Sequence, residues 1–247
     1  MKINSKKQSV LFVYFSVLFT IAMGVTNWLM PELKARMGYL DFTFTILPFL
    51  SLFTTLFAIV LGAGSVVDEY KEGTIKQLLI RPVSRTAVLL AKYLANVLML
   101  VCTAAVLGAV SCILDLCLFG TGKGSGVSIW IICKAYMYNL PSIIFAMTIA
   151  FFIGTLCKSS ALAIVAAILC VFGGPVFVEL LPPSAWGRYL IFTNLDIQVY
   201  DSNPLLNKGA HAPFSGMSMM FSLTVVLGHI AALLAVASLV FQKRDVY

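Results

Sequence analysis

Six stretches of this sequence, at about residues 10–30, 42–67, 87–114, 129–156, 161–181 and 214–241, are apolar from end to end. Each is long enough to cross the roughly 30 Å hydrocarbon core of a bilayer as a helix. Apolar residues make up 60% of the chain and charged residues 11%, against about 25% charged in an ordinary soluble domain. A water-soluble fold of this length cannot hide so much apolar surface, so lipid must be part of the solvent. Backbone groups cannot stay unpaired in hydrocarbon, which leaves a helical bundle or a closed barrel. Barrel strands alternate apolar and polar residues over about ten positions. The runs here are instead continuous in Leu, Ala, Ile and Val. The expected fold is therefore an all-α membrane protein of six transmembrane helices forming one domain, residues 1–247.

Six spans put both termini on one side of the membrane. With that side cytoplasmic, the inner segments hold Lys2, Lys6, Lys7, Lys71, Lys76, Arg81, Arg85, Lys92, Lys158, Lys243 and Arg244. The outer segments hold only Lys34, Arg36, Lys123, Lys134, Arg188 and Lys208. This bias predicts cytoplasmic termini, and the expected location is the plasma membrane. It also accounts for the net charge of +7. No basic stripe with interleaved aromatics marks a nucleic-acid partner. A small-residue pattern at Ala22-Met23-Gly24 leaves a cleaved signal peptide open as a rival reading of the first run. The cysteines, Cys102, Cys112, Cys117, Cys133, Cys157 and Cys170, lie mostly in apolar runs and form no CxxC, so neither zinc nor redox chemistry is indicated. Cys117 and Cys133 flank an expected outer loop and are candidates for a disulfide.

The most informative stretch is residues 68–92, DEYKEGTIKQLLIRPVSRTAVLLAK. Gly73 permits a sharp change of direction and Thr74 can cap a new helix. Ile75, Leu78 and Leu79 then share one helical face. Pro82 ends that helix, and Ser84 is placed to cap the next span. Acidic Asp68, Glu69 and Glu72 precede it, while basic Lys76, Arg81 and Arg85 follow, in accord with the helix dipole. The residues describe a short amphipathic helix at the cytoplasmic face, tied closely to spans two and three. Physics alone leaves it either a cap on the bundle or a docking element.

This segment resembles the first cytoplasmic loop of the membrane subunits of type-2 ABC exporters. Their pattern is close to E-Y-x-x-G-T-hydrophobic-x-x-L-L-x-x-P-V-S-R, with a Lys in the following span. Glu69, Tyr70, Gly73, Thr74, Leu78, Leu79, Pro82, Val83, Ser84, Arg85 and Lys92 match it. Phe241, Lys243, Arg244 and Asp245 match the family's ending, and the six-span layout matches throughout. The resemblance implies that residues 69–85, Glu72 among them, form a coupling helix docking on a separate ATPase. It implies a complex of two ATPases and two permeases, the second identical to this chain or a paralogue. No G-x-x-x-x-G-K-[ST] occurs in the sequence, so no cofactor is expected on this chain. ATP and Mg²⁺ would be held by the partner. The resemblance further implies a re-entrant outer element between spans five and six. Gly173, Gly174 and Pro175 are expected to break or bend span five there. With Glu179 and Trp186 they are candidates for an outer gate, an amphipathic outer loop being the plainer alternative. Pro141 is expected to interrupt span four.

Other polar residues carry less. Asp115 and Lys134 fall at similar outer depth and either pair or reach the headgroups separately. His229, mid-span beside Gly228, reads as packed or hydrogen-bonded rather than as a proton relay. Neither G-x-S-x-G nor H-E-x-x-H is present, so proteolysis has no motif. A secondary transporter would show mid-depth carboxylates and repeated halves, and neither is evident. That reading and a non-transporting membrane immunity protein remain the alternatives to an ABC exporter permease. The family moves peptides, antibiotics, lipids or polymers.

Overall fold

The computed structural model describes residues 3–71, 84–120, 126–180 and 185–243. Among these, every regular element is helical. The long helices are α1 (Ile3–Leu29), α3 (Asp41–Lys71), α4 (Arg85–Phe119), α5 (Ile129–Cys157), α6 (Ser160–Leu180) and α8 (Met219–Lys243). All six are long and apolar enough to cross a membrane. Short helices α2 (Pro31–Arg36) and α7 (Pro204–Asn207) and three 3-10 turns lie in the connections. Large apolar side chains face outward in number, Leu11, Leu98 and Leu169 each being about two-thirds exposed or more. That pattern suits a lipid solvent and would be ruinous in water. The chain is an all-α, multi-pass membrane protein.

The helix ends follow local chemistry. Ser84 Oγ accepts from the Ala87 N–H at 3.2 Å, the cap expected for α4. Ser159 caps α6 in the same way, accepting from Leu162 N–H at 3.4 Å. The last span starts later than residue 214. Gly216 has φ +79°, outside the helical region, and Ser218 supplies the cap by accepting from Phe221 N–H at 3.3 Å. The connection at residues 31–41 is not wholly irregular, because Pro31 opens the short helix α2.

Prolines do not divide the spans. Pro48, Pro141 and Pro175 all lie inside α3, α5 and α6. The expected break at Gly173-Gly174-Pro175 and the interruption at Pro141 are therefore absent: both helices run through. In an apolar environment a broken helix exposes several unpaired backbone groups, whereas a proline within it frees only one.

The helices fall into two compact units, Met1–Thr54 with Leu100–Met137, and Thr55–Met99 with Tyr138–Tyr247. In the first, Phe42, Ile46 and Leu50 of α3 pack with Leu107 of α4, and Phe12, Phe19 and Met23 of α1 lie against them. Phe19 and Phe53 meet edge to face at 4.8 Å. Asp115 is buried here, and its Oδ2 accepts from the Thr43 N–H at 2.8 Å. A carboxylate from α4 thus caps the first turn of α3, where helix N–H groups lack intrahelical partners. That backbone contact, rather than an ion pair with Lys134, is how the structure engages Asp115. All six cysteines are free, so Cys117 and Cys133 form no disulfide.

The second unit is built on small residues. Ala63 of α3, Ala146 and Ala150 of α5, and Ala163 and Ala167 of α6 are buried together with Ile59, Phe145 and Val226. Gly62 sits against the Met147 carbonyl, and Gly154 lies so close to Ala63 that an added Cβ would come within 2.9 Å of its carbonyl oxygen. Backbones of α3 and α5 approach this closely only where side chains are missing. Buried between α4 and α5, the Tyr93 hydroxyl and Thr148 Oγ1 share a 2.9 Å hydrogen bond.

Candidate functional site

The chemistry-bearing residues of the second unit gather at two ends. At one end, the last turns of α3 meet the first turns of α4. Lys92 reaches across to Glu69, Nζ to Oε1, at 3.0 Å. The same ammonium donates to the Ser65 carbonyl at 3.0 Å. The two side chains are 25% and 22% exposed, so the pair is neither dry nor fully screened. Its contribution lies between the ~0–1 kcal/mol of a surface pair and the ~3–5 kcal/mol lost when one partner of a buried pair is removed.

Two further contacts bring in the end of α8. Arg85 Nη1 donates to the Gln242 carbonyl at 3.1 Å. This satisfies a carbonyl in the last turn of that helix with a cation, as the helix dipole favours. The Tyr70 ring meets Phe241 edge-on, with centroids 6.5 Å apart and planes at 78°. Lys158, in the turn between α5 and α6, places Nζ 4.8 Å from the Tyr70 centroid. Lys158 itself has φ +54°, the left-handed conformation that usually falls to glycine just past a helix end. A side chain there costs about 1–2 kcal/mol. An exposed cation–π contact returns about 0.5–1 kcal/mol.

The structure therefore joins the described matches to the sequence pattern. Glu69 pairs with Lys92, Tyr70 packs on Phe241, Arg85 bonds to the residue after Phe241, and Ser84 caps α4. Glu72, Gly73, Thr74, Leu78, Leu79 and Pro82 lie outside the described residues. The role of Lys158 in this cluster is not visible in the sequence. The only signal was a basic residue in a tight turn where glycine would fit better.

At the other end, the candidate gate residues do not converge. Gly173 has open space where a Cβ would be, whereas Gly174 is buried beneath the Phe192 ring. Pro175 faces outward within α6, and Trp186 is 80% exposed. The side chain of Glu179 lies outside the described residues. Short helices do occupy the connection, at Ala185–Tyr189, Ile191–Asn194 and Gln198–Tyr200. A polar knot that the sequence did not announce holds them. Buried Asn194 donates to the Arg188 and Leu190 carbonyls and accepts from Ser222 Oγ at 2.8 Å. Tyr200 OH lies 2.8 Å from the same serine oxygen. Tyr138 OH donates to Asp201 Oδ2 at 2.7 Å, tying α5 to the connection. The available hints were polar residues inside otherwise apolar stretches, Asn194 and Ser222. In α8, His229 Nδ1 donates to the Val225 carbonyl at 2.8 Å, a hydrogen bond within its own helix.

No group of three or more His, Cys, Asp or Glu placed to hold a metal ion occurs among the described residues. One end links four helix ends through charges and rings, and the other clamps a connection. The family model of a protein of unknown function, DUF2705, matches residues 8–247. The chain belongs to the DUF2705 family. The match takes in all six spans and both ends of the second unit. Two Bacillus subtilis (strain 168) proteins are similar to this DUF2705 chain. The uncharacterized protein YhcI is 30% identical over 213 residues, 79% of this chain and 66% of its own length. The uncharacterized membrane protein YdbK is 31% identical over 220 residues, 85% of this chain and 82% of its own. The chain thus spans just under two thirds of YhcI.

Proposed function

We propose that this DUF2705 chain is the permease subunit of an ABC exporter, driven by ATP hydrolysed on a separate subunit. The observation that carries the proposal is the mutual contact of residues that match the exporter pattern at distant places in the sequence. Glu69 and Lys92 are 23 positions apart in the sequence and form an ion pair. Tyr70, from the loop pattern, packs on Phe241, from the pattern of the chain's end. An interfacial cap on the bundle needs no such linkage of α3, α4 and α8, whereas a docking element that pulls on them does. On this reading the site faces the cytoplasm of a cell whose plasma membrane holds two permeases and two ATPases.

Leu78 and Leu79 would supply the apolar face of the docking contact, with Glu72 holding register by charge. An aspartate in place of a buried leucine leaves an unpaired charge in that contact, a cost of several kcal/mol. The test is purification of the tagged chain in mild detergent with identification of its partners. An ATPase should co-purify with the native chain and be lost from Leu78→Asp, at unchanged membrane level. Glu72→Arg should weaken it less. Absence of any ATPase from the native preparation would overturn the proposal, and full retention in Leu78→Asp would remove the coupling role from this segment.

A further inference from the structure

We infer that Lys158 is a positioning residue: its ammonium holds the Tyr70 ring, and so makes the α5–α6 turn a working part of the coupling site. This rests on the exporter reading above and extends it to an element that the sequence pattern does not include. Three observations converge on Tyr70. Lys158 Nζ stands 4.8 Å from its ring centroid. Phe241 meets the ring edge-on. The preceding residue, Glu69, is held by Lys92. The final turn of α3 is thereby gripped from α4, α8 and the α5–α6 turn, immediately before the chain enters residues 72–83.

The backbone of Lys158 sharpens the argument. Its N–H closes the last turn of α5 on the Gly154 carbonyl at 3.0 Å, with φ at +54°. Glycine would make the same turn without strain. Stability of the turn alone therefore favours Lys158→Gly, and positioning of Tyr70 disfavours it. The two roles predict opposite results from one substitution. Arginine keeps a cation over the ring, so Lys158→Arg should behave as the native chain.

The experiment compares native chain, Lys158→Gly and Lys158→Arg, each purified with whatever ATPase accompanies it. Three quantities are read: melting temperature in detergent, amide exchange at residues 66–71, and ATP hydrolysis by the complex. Lys158→Gly should melt no lower than the native protein. Its exchange at residues 66–71 should rise about fivefold, the factor expected on losing one contact of this kind, and ATP hydrolysis should fall several-fold. Lys158→Arg should restore both. Unchanged exchange, or faster exchange with full ATP hydrolysis, would overturn the positioning role. A Lys158→Gly chain that melts lower would show Lys158 to be structural, which also overturns it. If no ATPase accompanies the native chain, the exporter reading falls and this inference with it. That result is distinct from a native complex that tolerates Lys158→Gly.

Discussion

A single cation in the right place can hold two helices together at more than one point, and Lys92 ties α4 to α3 twice. Its ammonium pairs with Glu69 and also bonds to the Ser65 carbonyl. Removing the charge takes one partner from the Glu69 carboxylate and one from the Ser65 carbonyl at once. Lys92→Met should therefore destabilise the protein by about 1–3 kcal/mol, more than an exposed pair contributes. Glu69→Gln keeps an oxygen for Lys92 to donate to and should cost under about 1 kcal/mol. The exchanged pair, Glu69→Lys with Lys92→Glu, should recover only part of the loss, because a glutamate cannot donate to the Ser65 carbonyl. Thermal unfolding of the native chain and the three variants in detergent checks this ordering, and full recovery in the exchanged pair would show the Ser65 contact to be idle.

Among the elements, α6 shows how neighbouring residues of one type can serve different ends. Gly173 and Gly174 precede Pro175 and together suggest a hinge, yet the helix is continuous. Gly174 is a flat place on which Phe192 of the following connection lies, while Gly173 meets nothing within 4 Å. Gly173→Ala should raise stability by up to about 1 kcal/mol, as alanine does in an open helical position. Gly174→Val should lower it by about 1–3 kcal/mol through overlap with the ring. Adding Phe192→Ala to Gly174→Val should return part of that loss. Melting temperatures of the three variants decide it. Equal effects at the two glycines would mean that the packing of the connection on α6 contributes nothing.

At the scale of the whole molecule, the distribution of Lys and Arg predicts which side of the membrane each connection faces. With termini inside, a cysteine placed at Lys76 or Lys158 in a cysteine-free background should resist impermeant reagents in intact cells. One at Lys208 should react. Labelling of Lys76→Cys from outside would reverse the topology and, with it, the placement of the proposed coupling site.

Much of this architecture was legible without coordinates. Runs of apolar residues longer than a bilayer needs leave a chain no other fold than spanning helices, since lipid offers the backbone no partners. Capping follows from neighbours within one turn, so Ser84 was readable as the start of α4. The mutual grip of Glu69 with Lys92, and of Tyr70 with Phe241 and Lys158, was not readable, although several of these residues were singled out by pattern. Nor was the knot of Asn194, Ser222 and Tyr200, or the cap that Asp115 lends to α3. Spacing along the chain reports which residues share a helix face, and it carries no information on which face of another helix they meet. That depends on how closely the helices approach, and in the second unit Gly62 and Gly154 permit the approach of α3 to α5. The same limit explains α6: its glycines and proline are equally compatible with a hinge and with a packing surface, and only the position of the Phe192 ring decides between them.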